Sequence, residues 1–345
     1  MNSPDSINIQ QNVSLAPLTT LKVGGPASFF VRAESESQVV DAFTHAEKND
    51  LKVFVLGGGS NILVSDKGFD GLVIQVALRG IKTAGSTITA AAGEDWDPFV
   101  EYCVSQQLAG LECLSGIPGF VGGTPVQNVG AYGQEVAESI VLVRCFDRRE
   151  NAIVDLLNSD CGFTYRTSIF NSSHRDRYVV TAVTYALIEH GEPKIAYKDL
   201  REHFAGLQPT LAETREAVLG IRRAKSMVID PDDPNSRSAG SFFKNPIVDT
   251  AKFEKISGGS ADVPHFAASD GQVKIPAAWL IEQAGFSKGY RMGKAGISTN
   301  HSLALVNFGG ASASEIIALK EKIQSVVAAK FDILLHPEPV FVGFD

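Results

Sequence analysis

The run Ala239-Gly240-Ser241-Phe242-Phe243-Lys244-Asn245-Pro246 places one hydroxyl between a glycine and two aromatics, with a cation and an amide directly behind it. Gly240 lets backbone approach a ligand closely. Phe242 and Phe243 anchor the segment by burial, and Lys244 and Asn245 offer donors to an anion or a carbonyl. Such a segment can hold Ser241 rigidly in a pocket. The plainer alternative is a serine that satisfies local backbone at a strand-to-loop corner. The rest of the chain decides between them.

Two glycine-rich loops stand out among the elements that must position this serine. Val53-Phe54-Val55-Leu56 predicts a buried strand, and Gly57-Gly58-Gly59-Ser60-Asn61 follows it directly, where crowded backbone N–H groups can wrap a pyrophosphate. A dinucleotide fingerprint fails here, because Ile62 occupies the third glycine position and no helix follows. Ile62-Leu63-Val64, a turn around Asp66-Lys67-Gly68, and Leu72 to Val76 read instead as strand, turn and strand. The second loop, Ser115 to Gly133, is long, glycine-rich and almost uncharged. It either turns backbone donors toward a large ligand or packs irregularly on protein.

Around these loops the pattern divides into three regions. From Leu18 to Leu72 a strand at Phe29-Phe30-Val31-Arg32 precedes an amphipathic helix opening at Ser37, with that serine as candidate cap. From Ile81 to about Ile188 a strand at Thr87 to Gly93 is followed by a helix over Asp95 to Leu108. The turn-rich stretch Pro231 to Ser238 reads as a linker or mobile loop. Beyond it lie the turn Gly258-Gly259-Ser260, a helix at Ala277 to Ala284, a strand at Ala304 to Asn307, a helix at Ser314 to Ala329 and an extended segment from Phe331 to Gly343. No internal repeat is visible.

A chain of 345 residues exceeds what one core usually organises, so two or three domains are expected. A 44% hydrophobic and 20% charged composition is that of a folded protein. The net charge of −8, with no basic patch, argues against nucleic-acid binding. The N-terminus lacks a basic start and apolar core, and no apolar stretch would span a membrane, so a cytoplasmic protein is expected. Cys103, Cys113, Cys145 and Cys161 are widely spaced and read as buried thiols. The seven histidines show no metal-binding spacing.

The two glycine loops, Tyr165-Arg166-Thr167-Ser168-Ile169-Phe170, Gly240 to Pro246 and Glu338 occur in one order that closely resembles the UDP-N-acetylenolpyruvoylglucosamine reductase family. The resemblance runs from about Thr19-Thr20-Leu21-Lys22-Val23-Gly24-Gly25 to Val342, and separated motifs in register are stronger than any one of them. It implies an α+β protein: an FAD-binding domain of the vanillyl-alcohol-oxidase type in two subdomains, plus a C-terminal α+β substrate-binding domain. The implied boundaries are residues 1–78, joined by 330–345, for the first subdomain, 79–227 for the second, and 228–329 for the substrate domain. The implied reaction is the NADPH-dependent reduction of UDP-N-acetylglucosamine enolpyruvate to UDP-N-acetylmuramate for peptidoglycan, through noncovalent FAD, by a monomer. The flavin would be reduced by NADPH and would then pass hydride from N5 to the vinyl carbon distal to the ether.

Arg166, Ser241 and Glu338 match the family's catalytic positions. A permanently cationic Arg166 suits charge building on the substrate carboxylate. Ser241 is the implied general acid toward the ether-bearing carbon. Glu338, stiffened by Pro337 and Pro339, would help most as a protonated or hydrogen-bond-donating acid with a raised pKa, because a carboxylate would repel an enediolate. Gly57, Gly58, Gly59, Ser60, Asn61, Ser115, Gly116, Gly119, Gly122, Gly123, Gln127, Asn128, Gly130, Ala131 and Tyr132 are the implied cofactor contacts. Tyr197 resembles the mobile tyrosine of the family's longer type, which folds over the substrate pyrophosphate. Arg222, Lys225 and Asn245 complete the implied substrate set. Two other readings remain: a flavin-dependent alcohol oxidase or dehydrogenase of the same fold superfamily, and a noncatalytic nucleotide-binding module.

Overall fold

The strand expected at Phe29 to Arg32 forms within Pro26–Ala33, which pairs in parallel with Phe69–Val76; that strand pairs in parallel with Val53–Leu56. Gln10–Ser14 completes a four-stranded sheet. The computed structural model describes residues 7–258, 262–268 and 271–344; Gly259 and Ser260 of the turn expected at Gly258-Gly259-Ser260 lie outside the described residues. Among the described residues, no helix is long and apolar enough to cross a membrane.

The following helix runs Glu36–Lys48 and buries Val39, Ala42 and Ala46 on one stripe. Its cap is Ser35, which accepts the Gln38 amide at 3.2 Å, and not Ser37. Both serines precede the apolar stripe, so periodicity alone does not choose between them.

A five-stranded antiparallel sheet has the order Ala152–Leu157, Ile140–Asp147, Tyr178–Ala186, Thr87–Ala91, Ile81–Ala84. The helix expected to reach Leu108 stops at Ser105. Gln107 turns left-handed at φ 57°, and Leu108-Ala109 leaves to pair with Ile188-Glu189. The helix Trp96–Ser105 lays Trp96, Phe99 and Val100 into a core that includes Tyr185, Val183 and Val121. Trp96 Nε1 donates to the Leu114 carbonyl at 2.9 Å, tying this helix to the start of the second glycine loop.

Two compact units result. One comprises residues 1–13, 27–59 and 69–228; the other comprises 14–26, 60–68 and 229–345. In the second unit, Ile62–Val64 pairs in parallel with Val340–Val342. The strand, turn and strand expected over 62–76 form as Ile62–Val64 and Phe69–Val76, and the two strands join different sheets. Arg291–Met292, Ala295–Ile297 and Leu305–Asn307 form a small antiparallel sheet. With the helices Ala277–Gln283 and Ala313–Phe331 they contribute to a core containing Leu280, Ile316, Leu319, Ile323, Phe242 and Phe243.

The long helix is capped by Ser312 with Glu315 in a capping box, and Asp66 accepts the amides of Ala313 and Ser314 at 2.7 and 2.9 Å. The stretch Pro231 to Ser238 is a hydrogen-bonded turn and not a loose linker. Ser236 Oγ donates to Asp230 O at 2.7 Å, and Asn235 Oδ1 accepts the Thr299 amide at 2.9 Å. All four cysteines are free and buried; burial pushes the thiols of Cys103 and Cys161 up to about 12 and raises those of Cys113 and Cys145 as well.

Candidate functional site

In the first unit the two glycine loops meet backbone to backbone. A β-carbon on Gly58 would stand 2.7 Å from Gly119 Cα, a distance that only glycine permits. Among the described residues nothing lies within 4 Å of where a β-carbon would stand on Gly57 or Gly123. Together these features leave main chain open to a ligand along both loops, as a pyrophosphate site requires. Gly122 packs against Ala92, where its β-carbon would stand 2.6 Å from the Ala92 side chain.

The second loop is held from behind by charged groups. Asp97 accepts the Gly116 amide at 2.6 Å, and Arg215 Nη1 and Nη2 grip the same carboxylate at 2.6 and 2.9 Å. Burial would raise the Asp97 pKa, but the hydrogen bonds from Arg215 and Gly116 outweigh it and hold the carboxyl below the usual range. Glu112, fully buried, accepts the amides of Gly110 and Lys194 and the Gln134 side chain. Ser115 Oγ is committed to Glu112 O at 2.7 Å.

Asn128 is likewise turned into the protein. Its amide donates to Glu135 and to Thr164 O and accepts the Ala137 amide, so its side chain supports the loop. Arg166 donates to Gly130 O at 2.6 Å and to Asn128 O at 3.3 Å, which brings this guanidinium onto the glycine loop. Asn128, Tyr132 and Arg166 all have left-handed backbone, with φ of 45°, 48° and 54°. Non-glycine residues hold such conformations at a cost and cluster at functional sites.

Tyr132 and Tyr197 meet edge to face, with centroids 5.5 Å apart. Tyr197 is exposed and precedes the helix Lys198–Phe204. Lys225 pairs with Asp199 at 2.8 Å. Arg222 is buried and donates to Met227 O at 2.7 Å, and among the described residues its Nε meets no hydrogen-bond partner. Burial lowers the Arg222 pKa against the opposing pull of Tyr132 and Asp97. Tyr132, Tyr197, Arg222 and Lys225 thus form one polar and aromatic cluster. An open groove of about 820 Å³ beside the helix Leu211–Ala224, lined by Phe204, Leu207 and Ile221, includes none of them.

In the second unit the serine segment is fixed on both sides of Ser241. Gly240 is left-handed at φ 72°, and its amide donates to Ser238 Oγ at 3.3 Å. Phe242 and Phe243 are fully buried, and the Phe242 amide donates to Leu303 O. Glu338 is brought beside this segment: its amide donates to Phe242 O at 2.9 Å, and Phe243 bridges Pro337. Asn61 Nδ2 donates to Glu338 O at 3.4 Å, and the Val340 amide donates to Asn61 O at 3.0 Å. Asn245 Oδ1 accepts the Ala277 amide at 2.9 Å at the start of a helix. Asp97, Arg215 and Glu112 carry no assignment from sequence; Glu112 alone has a local signal, as one charge in the apolar stretch Leu108 to Leu114, while Arg215 sits in a helix that also carries Glu213, Glu216, Arg222 and Arg223.

Residues 27–154 match the FAD binding domain family, and residues 232–342 match the family described as UDP-N-acetylenolpyruvoylglucosamine reductase, C-terminal domain. Paired glycine loops in a domain of this kind define a flavin-binding protein. The UDP-N-acetylenolpyruvoylglucosamine reductase of Thermobifida fusca is 44% identical over 96% of this chain and 98% of its own. That of Saccharopolyspora erythraea is 45% identical over 95% of this chain and 94% of its own. The crystal structure of the Thermus caldophilus enzyme of the same name superimposes with a TM-score of 0.70 at 26% identity, covering 98% of this chain and all of that one. The chain belongs to the UDP-N-acetylenolpyruvoylglucosamine reductase family.

Proposed function

We propose that this protein reduces the enolpyruvyl ether of UDP-N-acetylglucosamine enolpyruvate to UDP-N-acetylmuramate, with FAD as cofactor and NADPH as reductant. The observation that carries this reading is 44% identity to a reductase of that name over 96% of the chain. FAD, when bound, supplies the hydride chemistry that couples NADPH oxidation to reduction of a polarised double bond. We ascribe its binding to residues 1–78 and 79–227 with the returning segment 330–345, and sugar-nucleotide binding chiefly to 228–329.

The residues support the chemistry by type and setting. Gly57 to Asn61 and the loop from Ser115 to Tyr132 would hold the cofactor mainly through main chain, since Ser115 and Asn128 spend their side chains on the protein. Arg166 would hold the enolpyruvyl carboxylate as negative charge builds on it, anchored through its own contacts to Asn128 O and Gly130 O. Ser241 would give a proton to the ether-bearing carbon once hydride has reached the distal carbon, and water would reprotonate it. Glu338, directed by Pro337 and Pro339, would donate a hydrogen bond beside the developing enediolate. Tyr197, Arg222 and Lys225 would contact the diphosphate, and Asn245 can offer its amide NH₂.

Four free buried thiols suit a reducing compartment, so we place the reaction in the cytoplasm, as a step of cell-wall synthesis on which cell shape and division depend. A monomer is the expected assembly. The test is mass spectrometry of the sugar nucleotide after incubation with NADPH in heavy water. The reading predicts saturation of the enolpyruvyl double bond, with solvent deuterium at the ether-bearing carbon. An unreduced sugar beside an oxidised alcohol substrate would favour a flavin-dependent alcohol oxidase instead.

A further inference from the structure

Thr20 lies 218 residues from the Ser238 carbonyl in sequence, yet its hydroxyl donates to that oxygen at 2.6 Å. The Ser60 carbonyl is 3.4 Å away, and a hydroxyl has one proton, so the shorter bond takes it. The acceptor is well chosen. Ser238 is buried, bridges Val306, and accepts the Gly240 amide on its own hydroxyl at 3.3 Å. The Thr20 hydroxyl therefore fixes the peptide leaving Ser238, two residues before the left-handed Gly240 that precedes Ser241.

The side of the turn beyond Ser241 is fixed by other means. Phe242 and Phe243 are buried, and the Phe242 amide is bonded to Leu303 O. On the Ser238 side, the Thr20 hydroxyl supplies a long-range hydrogen bond to the main chain. Thr20 is itself rigidly held. Leu21 is fully buried, Asn307 Nδ2 donates to Leu21 O at 3.0 Å and to Lys22 O at 3.3 Å, and the Gly25 amide is bonded to Ser65 O at 2.8 Å. Asn307, buried within a strand, locks this segment in turn, since its Oδ1 also accepts the Gly309 and Ala311 amides at 2.9 Å.

We propose that Thr20 is a positioning residue for proton delivery by Ser241, acting through the Ser238 carbonyl. The proposal rests on the reading of Ser241 as the general acid. A reacting group displaced by about 1 Å can lose a factor on the order of 100 in rate, so one hydrogen bond at the base of the turn has leverage on the chemistry.

The test uses the FAD-loaded protein with Thr20→Val, which keeps shape and removes the donor, and Thr20→Ser, which restores it. The proposal expects Thr20→Val to bind FAD and be reduced by NADPH as the parent is. Its reoxidation by the enolpyruvyl sugar should fall about tenfold or more, with a larger solvent isotope effect. Amides of residues 239–243 should exchange faster, and Thr20→Ser should reverse each change. In a Ser241→Ala background, Thr20→Val should cost nothing further, because both act through one group.

Parental reoxidation and exchange in Thr20→Val, with Ser241→Ala slow, would overturn the role of Thr20 alone. Loss of FAD binding or of reduction by NADPH in Thr20→Val would overturn it in favour of general folding. Should Thr20→Val not fold, Thr20→Ala takes its place, and additive losses of Thr20→Ala and Ser241→Ala on reoxidation would overturn it too. Parental reoxidation in Ser241→Ala would overturn the reading of Ser241, and the proposal with it.

Discussion

Asp97 Oδ1 lies 2.6 Å from the backbone nitrogen of Gly116, so a carboxylate on the helix Trp96–Ser105 fixes the turn that opens the second glycine loop. The buried Arg215 neutralises that carboxylate from the other side. Asp97→Asn would leave the buried Arg215 with only the exposed Glu101 carboxylate, 3.9 Å away, at a cost of ~2 kcal/mol. It should also loosen Gly116, and FAD affinity should fall about tenfold, since 1.4 kcal/mol of lost interaction is a factor of ten. Fluorescence of released flavin checks this; unchanged affinity would separate this carboxylate from the cofactor.

The same group sets an acid limit. The Asp97 pKa is lowered in the folded protein, so its contribution is present above the unfolded value and is lost as pH falls through the folded one. Flavin retention and thermal midpoint should therefore decline below about pH 4, the ordinary range of an aspartate. Asp66, also lowered, because hydrogen bonds from Ser314 and Ala313 outweigh its burial, adds a parallel decline in the second unit. Asp97→Asn should flatten the pH dependence of flavin retention and leave that of Asp66 in place.

Gly58→Ala would push a methyl group to 2.7 Å from Gly119 Cα, and backbone cannot yield as a flexible side chain can. Overpacking of this kind costs ~1–3 kcal/mol. The expected outcome is a folded protein purified largely without FAD, read from its absorbance ratio. Gly123→Ala, which meets no atom within 4 Å among the described residues, should fold at parental stability, with any loss confined to flavin affinity.

Tyr197 is exposed and touches Tyr132 edge-on. Tyr197→Ala should raise KM for the sugar nucleotide about tenfold, as expected when ~1.4 kcal/mol of binding contact is removed. It should leave flavin reduction by NADPH at the parental rate. Equal loss in both half-reactions would assign the tyrosine to the fold instead.

Local signals were legible where one stretch of chain decides its own conformation. Val53 to Leu56 forms the strand that its apolar run dictates, and the glycine loop follows where expected. The helix expected from Ser314 to Ala329 forms as Ala313–Phe331, on an equally local pattern. What escaped depends on distant partners. The union of Ile62–Val64 with Val340–Val342 joins segments with most of the chain between them. Asp97 and Arg215 look like surface charges until the fold buries the arginine against the carboxylate, 118 residues away. Thr20 lies in the stretch Thr19 to Gly25, and nothing in its own neighbourhood names Ser238 as its acceptor. The side-chain commitments of Ser115 and Asn128 were invisible for the same reason.

The most direct test of the central claim is the visible spectrum of the purified protein under anaerobic conditions, recorded alone, after NADPH, and after UDP-N-acetylglucosamine enolpyruvate. The reductase account predicts an oxidised flavin spectrum that bleaches with NADPH and returns when the sugar nucleotide is added. A flavin that bleaches and stays bleached with the sugar present would contradict it.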